Sequence, residues 1–120
     1  MGLKDAYFAK LERKKLAEEA AERPHHEAVE RLKVLFREIV ADRALMDAIL
    51  WEVELNGEEL QIDPGPIFIR VAADPAGDYH MTYEIKANDD PKIVDVPVKT
   101  IPDIEEAIAD LLVQYARERA

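Results

Sequence analysis

Three histidines carry most of the chemical potential of this chain, and they fall in two places. His25 and His26 are adjacent, and Glu30 follows His26 at a helical i,i+4 spacing that lets two side chains reach one divalent ion. A metal centre needs three or four ligands, so the pair reads more simply as residues at the start of a helix. His80 stands two residues from Thr82 and four from Glu84, and in a strand all three share one face. A histidine beside carboxylates is the raw material of general acid–base catalysis. Nothing supplies a nucleophile, an oxyanion hole or a glycine-rich phosphate loop. The expectation is therefore a polar sheet face, with no catalytic residue, no metal site and no cofactor.

Other residues point to contact rather than chemistry. Glu52, Glu54 and Glu59 would display carboxylates in rows on the same sheet face as His80 and Glu84. Phe68 and Arg70 alternate with Ile67, Ile69 and Val71, which puts Phe68 on the polar face. An exposed Phe there would mark a contact site, unless the first helix folds over it. The candidate partner-binding residues are thus Glu52, Glu54, Glu59, Phe68, Arg70, His80 and Glu84. Trp51, the only tryptophan, alternates with Glu52 and belongs with the packed side. Lys10, Arg13, Lys14 and Lys15 form a basic run that could touch phosphates. Glu12, Glu18, Glu19 and Glu22 interleave with it, the pattern of a solvated helix with i,i+4 ion pairs.

The 120 residues fit one domain. Net charge is −10, and it is unevenly spread. Residues 1–43 hold ten Lys/Arg against nine Asp/Glu, whereas residues 44–120 hold six against seventeen. That acidic part would repel a polyanion and argues against direct nucleic-acid binding. There is no cysteine, which excludes disulfides and thiolate metal sites and fits a reducing compartment. No stretch longer than six residues lacks a charged side chain, so neither a membrane-spanning helix nor a signal-peptide core is expected. The opening Met1-Gly2 suits a myristoylation signal, but Ala6 sits where Ser or Thr is wanted. A soluble, cytoplasmic protein without membrane contact is the expectation.

These residues need elements to position them. Ala, Leu, Glu and Lys dominate residues 3–22, without Gly or Pro, which predicts a helix. Its stripe of Leu3, Tyr7 and Leu11 is broken by Lys14 and Glu18. Pro24 should end it, because the residue before a proline is pushed out of the α region. Residues 26–41 form a second helix with Val29, Leu32, Phe36 and Ile39 on one face and Leu35 and Val40 beside it. Asp42 either caps a short helix through Met46 or lies within a continuing one.

The period then changes to two. Asn56-Gly57 is a hairpin signal, and a loop of those two residues pairs Leu55 with Glu58, Val53 with Leu60 and Glu54 with Glu59. Strands follow at 67–72, 79–86 and 93–98, separated by Asp63-Pro64-Gly65-Pro66, by residues 74–78 and by residues 88–91. Pro97 puts the last strand at an edge. Thr100 to Asp103 fits a capping box for a helix over about 101–117. Ile104, Ile108, Leu111, Leu112 and Tyr115 form its buried stripe, and Arg117 and Arg119 its basic end. The fold class is α+β: two layers, an antiparallel four- to five-stranded sheet with helices on one face, in the order α-α-β-β-β-β-β-α. Residues 1–23 form an N-terminal helical arm and residues 24–120 a single α+β domain.

Three functions fit. The first is a small soluble protein–protein interaction module without catalytic activity, self-associating through the N-terminal helix, so that its partner is another protein or a second copy of itself. The second rests on small size, an acidic balance and mixed α/β content, in which the chain resembles bacterial type III secretion chaperones that bind unfolded effector segments; the helix those proteins carry between their third and fourth strands has no counterpart here. The third is an acidic nucleic-acid-mimicking inhibitor of a DNA-binding protein, with Glu54 opposite Glu59 as a like-charge pair that a cationic partner would relieve.

Overall fold

A computed structural model of the chain describes residues 2–50, 52–86 and 89–116. The order is α1 (Leu3–Ala41), α2 (Arg43–Ala48), β1 (Glu52–Asn56), β2 (Glu59–Asp63), β3 (Ile67–Ala73), β4 (Tyr79–Ile85), β5 (Lys92–Val96) and α3 (Ile101–Tyr115). The five strands form one antiparallel sheet in sequential order, β1 to β5. This is the α+β architecture expected, and its order of elements holds, but the first two helices meet at Asp42 rather than at Pro24.

That difference is a correction with a physical cause. α1 runs through Pro24 without a break. An interior proline costs a helix roughly 3 kcal/mol, so something must offset it. Immediately after Pro24 the helix enters the core: Ala28, Leu32, Leu35 and Ile39 join the cluster of buried sheet residues, and Val29 is buried as well. Each large apolar side chain so buried contributes about 1.5–3 kcal/mol, enough in sum to override a local preference. The central buried residue is Leu35 rather than Phe36, which is half-buried, and Val40 faces outward. Asp42 does cap α2, its carboxylate accepting the Leu45 N–H at 3.2 Å.

Alternation sets the sheet. Leu60, Ile62, Ile67, Ile69, Val71, Tyr79 and Met81 are buried beneath α1 and α3. α3 lays Ile104, Ile108 and Leu111 on the same core and carries the expected box, Thr100 Oγ1 accepting from the Asp103 N–H and the Asp103 carboxylate accepting from the Thr100 N–H. Its basic end, Arg117 and Arg119, lies outside the described residues, as does Trp51.

The first hairpin needs a second correction. Its loop is Gly57-Glu58, and the register pairs Leu55 with Leu60, Val53 with Ile62 and Glu54 with Gln61. Gly57 has φ 67°, and no non-glycine residue has positive φ among those described. A type I′ turn would demand positive φ at both loop positions, so the loop is of the glycine-first type II′. The shift moves partners by two residues, which preserves every face.

The molecule is long, 75 × 33 × 21 Å. The 39-residue α1 accounts for it, at about 58 Å. Its N-terminal half overhangs the sheet as a projecting arm in which only Leu11 is even half-buried up to Pro24.

Candidate functional site

The arm is the first candidate surface, because its apolar side chains are exposed. Leu3 is 87% exposed, Tyr7 58% and Phe8 54%. Tyr7 and Phe8 touch edge to face, ring centroids 5.5 Å apart. Leu3 lies ten helical turns from Ile39 and Leu11 five from Val29, at 3.6 residues per turn. The arm's apolar stripe therefore continues the side of α1 that packs on the sheet, beyond the point where the sheet ends.

The opposite, uncovered face of the sheet holds the sequence-predicted contact residues. Glu52 and Glu54 are exposed on β1. Glu59 is half-buried and accepts from Gln61 Nε2 at 2.8 Å, with Arg70 Nε at 3.9 Å. Phe68 is neither fully exposed nor beneath α1: it is half-buried, with the Arg70 guanidinium 5.0 Å above its ring. Across the sheet Phe68 pairs with Glu84 and Glu84 with Ile93, which is 69% exposed. The expected repulsion of Glu54 and Glu59 does not occur, because Glu54 faces Gln61. Like charges meet one row away: Glu52 has Glu54 beside it and Asp63 opposite, and the contact with Glu54 first, then Asp63, raises the Glu52 pKa above the usual glutamate value. Lys86 holds Asp63 with both carboxylate oxygens at 2.8 Å.

The histidines divide differently from their sequence reading. His80 and Glu84 are four residues apart along β4, about 13 Å, and do not act on a common atom. His80 Nε2 instead bonds Asp74 Oδ2 at 2.8 Å. That bond, with the Asp78 N–H, holds Asp74 below the usual aspartate range. His25 Nδ1 donates to the Asp74 carbonyl at 2.9 Å and Nε2 meets Glu58 Oε2 at 2.7 Å. With an acceptor at each ring nitrogen the protonated form is favoured, and the carbonyl contact first, then Glu58, raises the His25 pKa above 6.5. His26 stacks edge to face on His25, ring centroids 6.0 Å apart, but its Nε2 faces Glu22, 3.8 Å off, and not the partners of His25. Among the described residues no three His, Asp or Glu side chains converge as a metal site requires. His25 is instead a fastener: it ties the middle of α1 to the β1–β2 turn and the β3–β4 loop. Beside it, Gly77 presses so closely on Pro24 that an added Cβ would lie 2.7 Å from the Pro24 carbonyl oxygen.

A third surface has no counterpart in the sequence reading. Between α1, α2 and α3 runs an apolar depression of about 320 Å³ floored by Leu35, Ile39, Leu45, Ile108 and Leu112, with Glu38, Asp42, Glu105 and Ala109 completing its lining. It continues toward Val34, Glu30 and Ile101 at one end and toward Ile49 and Val113 at the other. The four carboxylates are exposed. Leu35, Ile39 and Ile108 were legible as core residues, but a groove depends on how far apart two helices sit, which no local pattern records.

Comparison with known proteins finds no matching family model, no matching curated protein and no matching solved structure. No helix among the described residues is long and apolar enough to cross a membrane.

Proposed function

We propose that the protein is a small interaction module that works by docking rather than by catalysis, with the projecting arm as its contact element and a second copy of the chain as its partner. The observation that carries this reading is the arm itself: half of a 39-residue helix standing clear of its own domain with Leu3, Tyr7 and Phe8 exposed. A cluster of that kind on a protein surface marks an interaction site. Light scattering tests it. The full chain is expected to exceed its monomer mass of 13.7 kDa, and removal of residues 2–22 to return it to a monomer. An unchanged oligomeric state would reject the reading.

The acidic sheet face supports a second reading, mimicry of nucleic acid toward a cationic, DNA-binding partner. The specific observation is the crowding of Glu52, Glu54 and Asp63, whose mutual repulsion a basic surface would relieve. Competition with DNA for such a protein, abolished as salt rises to about 0.5 M where the Debye length is roughly 4–5 Å, is the expected behaviour. Competition that persists at high salt would count against it.

A further inference from the structure

We propose that the groove between α1, α2 and α3 is the receptor for the helical arm of a second copy. This rests on the self-association reading above and names its receiving surface.

Both sides of the contact are on the molecule. The arm offers Leu3, Tyr7, Phe8 and Leu11, together with Lys10, Arg13, Lys14 and Lys15. Over residues 3–16 it carries five cationic side chains against two carboxylates. The groove offers a floor of Leu35, Ile39, Ile108 and Leu112 and the exposed carboxylates of Glu30, Glu38, Asp42 and Glu105, against which stand Arg31 in the lining and Lys33, whose Nζ donates to Glu30 at 3.1 Å. An amphipathic helix laying its apolar face into such a groove is a general mode of recognition, and opposite charge at the margins fixes register and speeds encounter. The lengths agree: residues 3–15 of a helix span about 18 Å, as do residues 30–42 of α1 that wall the groove. The arm cannot enter its own groove, because α1 is one continuous helix whose far half forms the wall.

The open sheet face is the rival receptor. It is acidic too, but its apolar surface is thin: Phe68 is already under Arg70, and Ile93 stands alone on the edge strand. The groove supplies the apolar area that Leu3, Tyr7 and Leu11 require.

The chain's lack of cysteine makes the test direct. Full-length Tyr7→Cys is mixed under mild oxidation with full-length Val34→Cys, Val113→Cys or Ile93→Cys. A disulfide-linked dimer is expected with Val34→Cys or Val113→Cys, whichever end of the groove the tip reaches, and not with Ile93→Cys on the sheet face. Charge exchange provides a second readout that does not depend on cross-linking. Glu38→Lys/Glu105→Lys and Lys14→Glu/Lys15→Glu should each weaken association at least about tenfold. An equimolar mixture of the two variants should associate again, which a misfolded variant would not do. Linkage to Ile93→Cys alone, or unweakened association of the charge variants, overturns the groove as receptor. If removal of residues 2–22 abolishes association while the groove variants do not, this inference fails and the arm reading stands. If that removal changes nothing, both fail.

Discussion

The position of α1 on the sheet is tested most sharply at Gly77. This residue closes the β3–β4 loop, where its N–H donates to the Asp74 carbonyl at 2.9 Å, and it holds φ 86°. A Cβ built there lies 2.7 Å from the Pro24 oxygen and 2.9 Å from both the Pro24 carbonyl carbon and Cβ. Gly77→Ala therefore carries two penalties. Left-handed backbone costs a non-glycine residue about 1–2 kcal/mol. Forcing a methyl against packed backbone costs about 1–3 kcal/mol more. Alanine also stiffens the unfolded chain, returning about 0.4–1 kcal/mol. The expected net loss is about 3 kcal/mol. With an m-value of about 1.5 kcal/mol/M, the urea midpoint falls by about 2 M. Gly57→Ala is the matched control. It sits at φ 67° with nothing within 4 Å of its added Cβ, so it bears the backbone penalty alone, about 1 kcal/mol. Equal midpoint shifts for the two variants would refute the close approach of Gly77 to Pro24 and, with it, the seating of the helix.

Three further outcomes follow from named contacts. The folded pKa of His25 lies above 6.5, so its contribution to stability is fully present below that pH and is lost as pH rises through the higher, folded value; thermal melts of His25→Ala should be less pH-dependent than the parent over that window, and identical profiles would dismiss the fastener. Glu52 is raised in the fold, so its ionisation destabilises as pH climbs above 4.5; Glu52→Gln is expected to raise the melting temperature at pH 7 and to lose that advantage in high salt, and a lower melting temperature would contradict the repulsion. Thr100→Ala removes the N-cap of α3 and should cost about 0.5–2 kcal/mol by urea denaturation, with a negligible effect counting against the capping box.

The strands were readable because their information is local. Ile67, Ile69 and Val71 alternate with Phe68 and Arg70, and burial follows that alternation residue by residue. The hairpin register was not, because Asn56-Gly57 and Gly57-Glu58 loops differ by two residues in pairing and satisfy the same apolar face. Only the backbone distinguishes them: one asks for positive φ at Asn56, the other at Gly57 alone. Pro24 misled for the opposite reason, since a local rule met a tertiary one and the burial of Ala28 to Ile39 prevailed. Of the surfaces, the sheet face was legible from parity. The fastener was not: His25 is 49 residues from Asp74 and 33 from Glu58. The adjacency of His25 and His26 suggested a shared ion, whereas a helix sends consecutive side chains about 100° apart.

Proline brings no amide hydrogen to a helix, so at residue 24 the Ala20 carbonyl lacks the donor it would otherwise receive. That missing rung falls between the overhanging half of α1 and the half sealed by the sheet. Opening of the exposed turns thus need not propagate into the sealed ones. In the monomer, at concentrations below self-association, amides of residues 6–20 should exchange with deuterium on the timescale of an isolated peptide, while those of residues 29–39 exchange only when the whole domain opens. The chain carries a limb that can fray and re-form without spending the stability of its body.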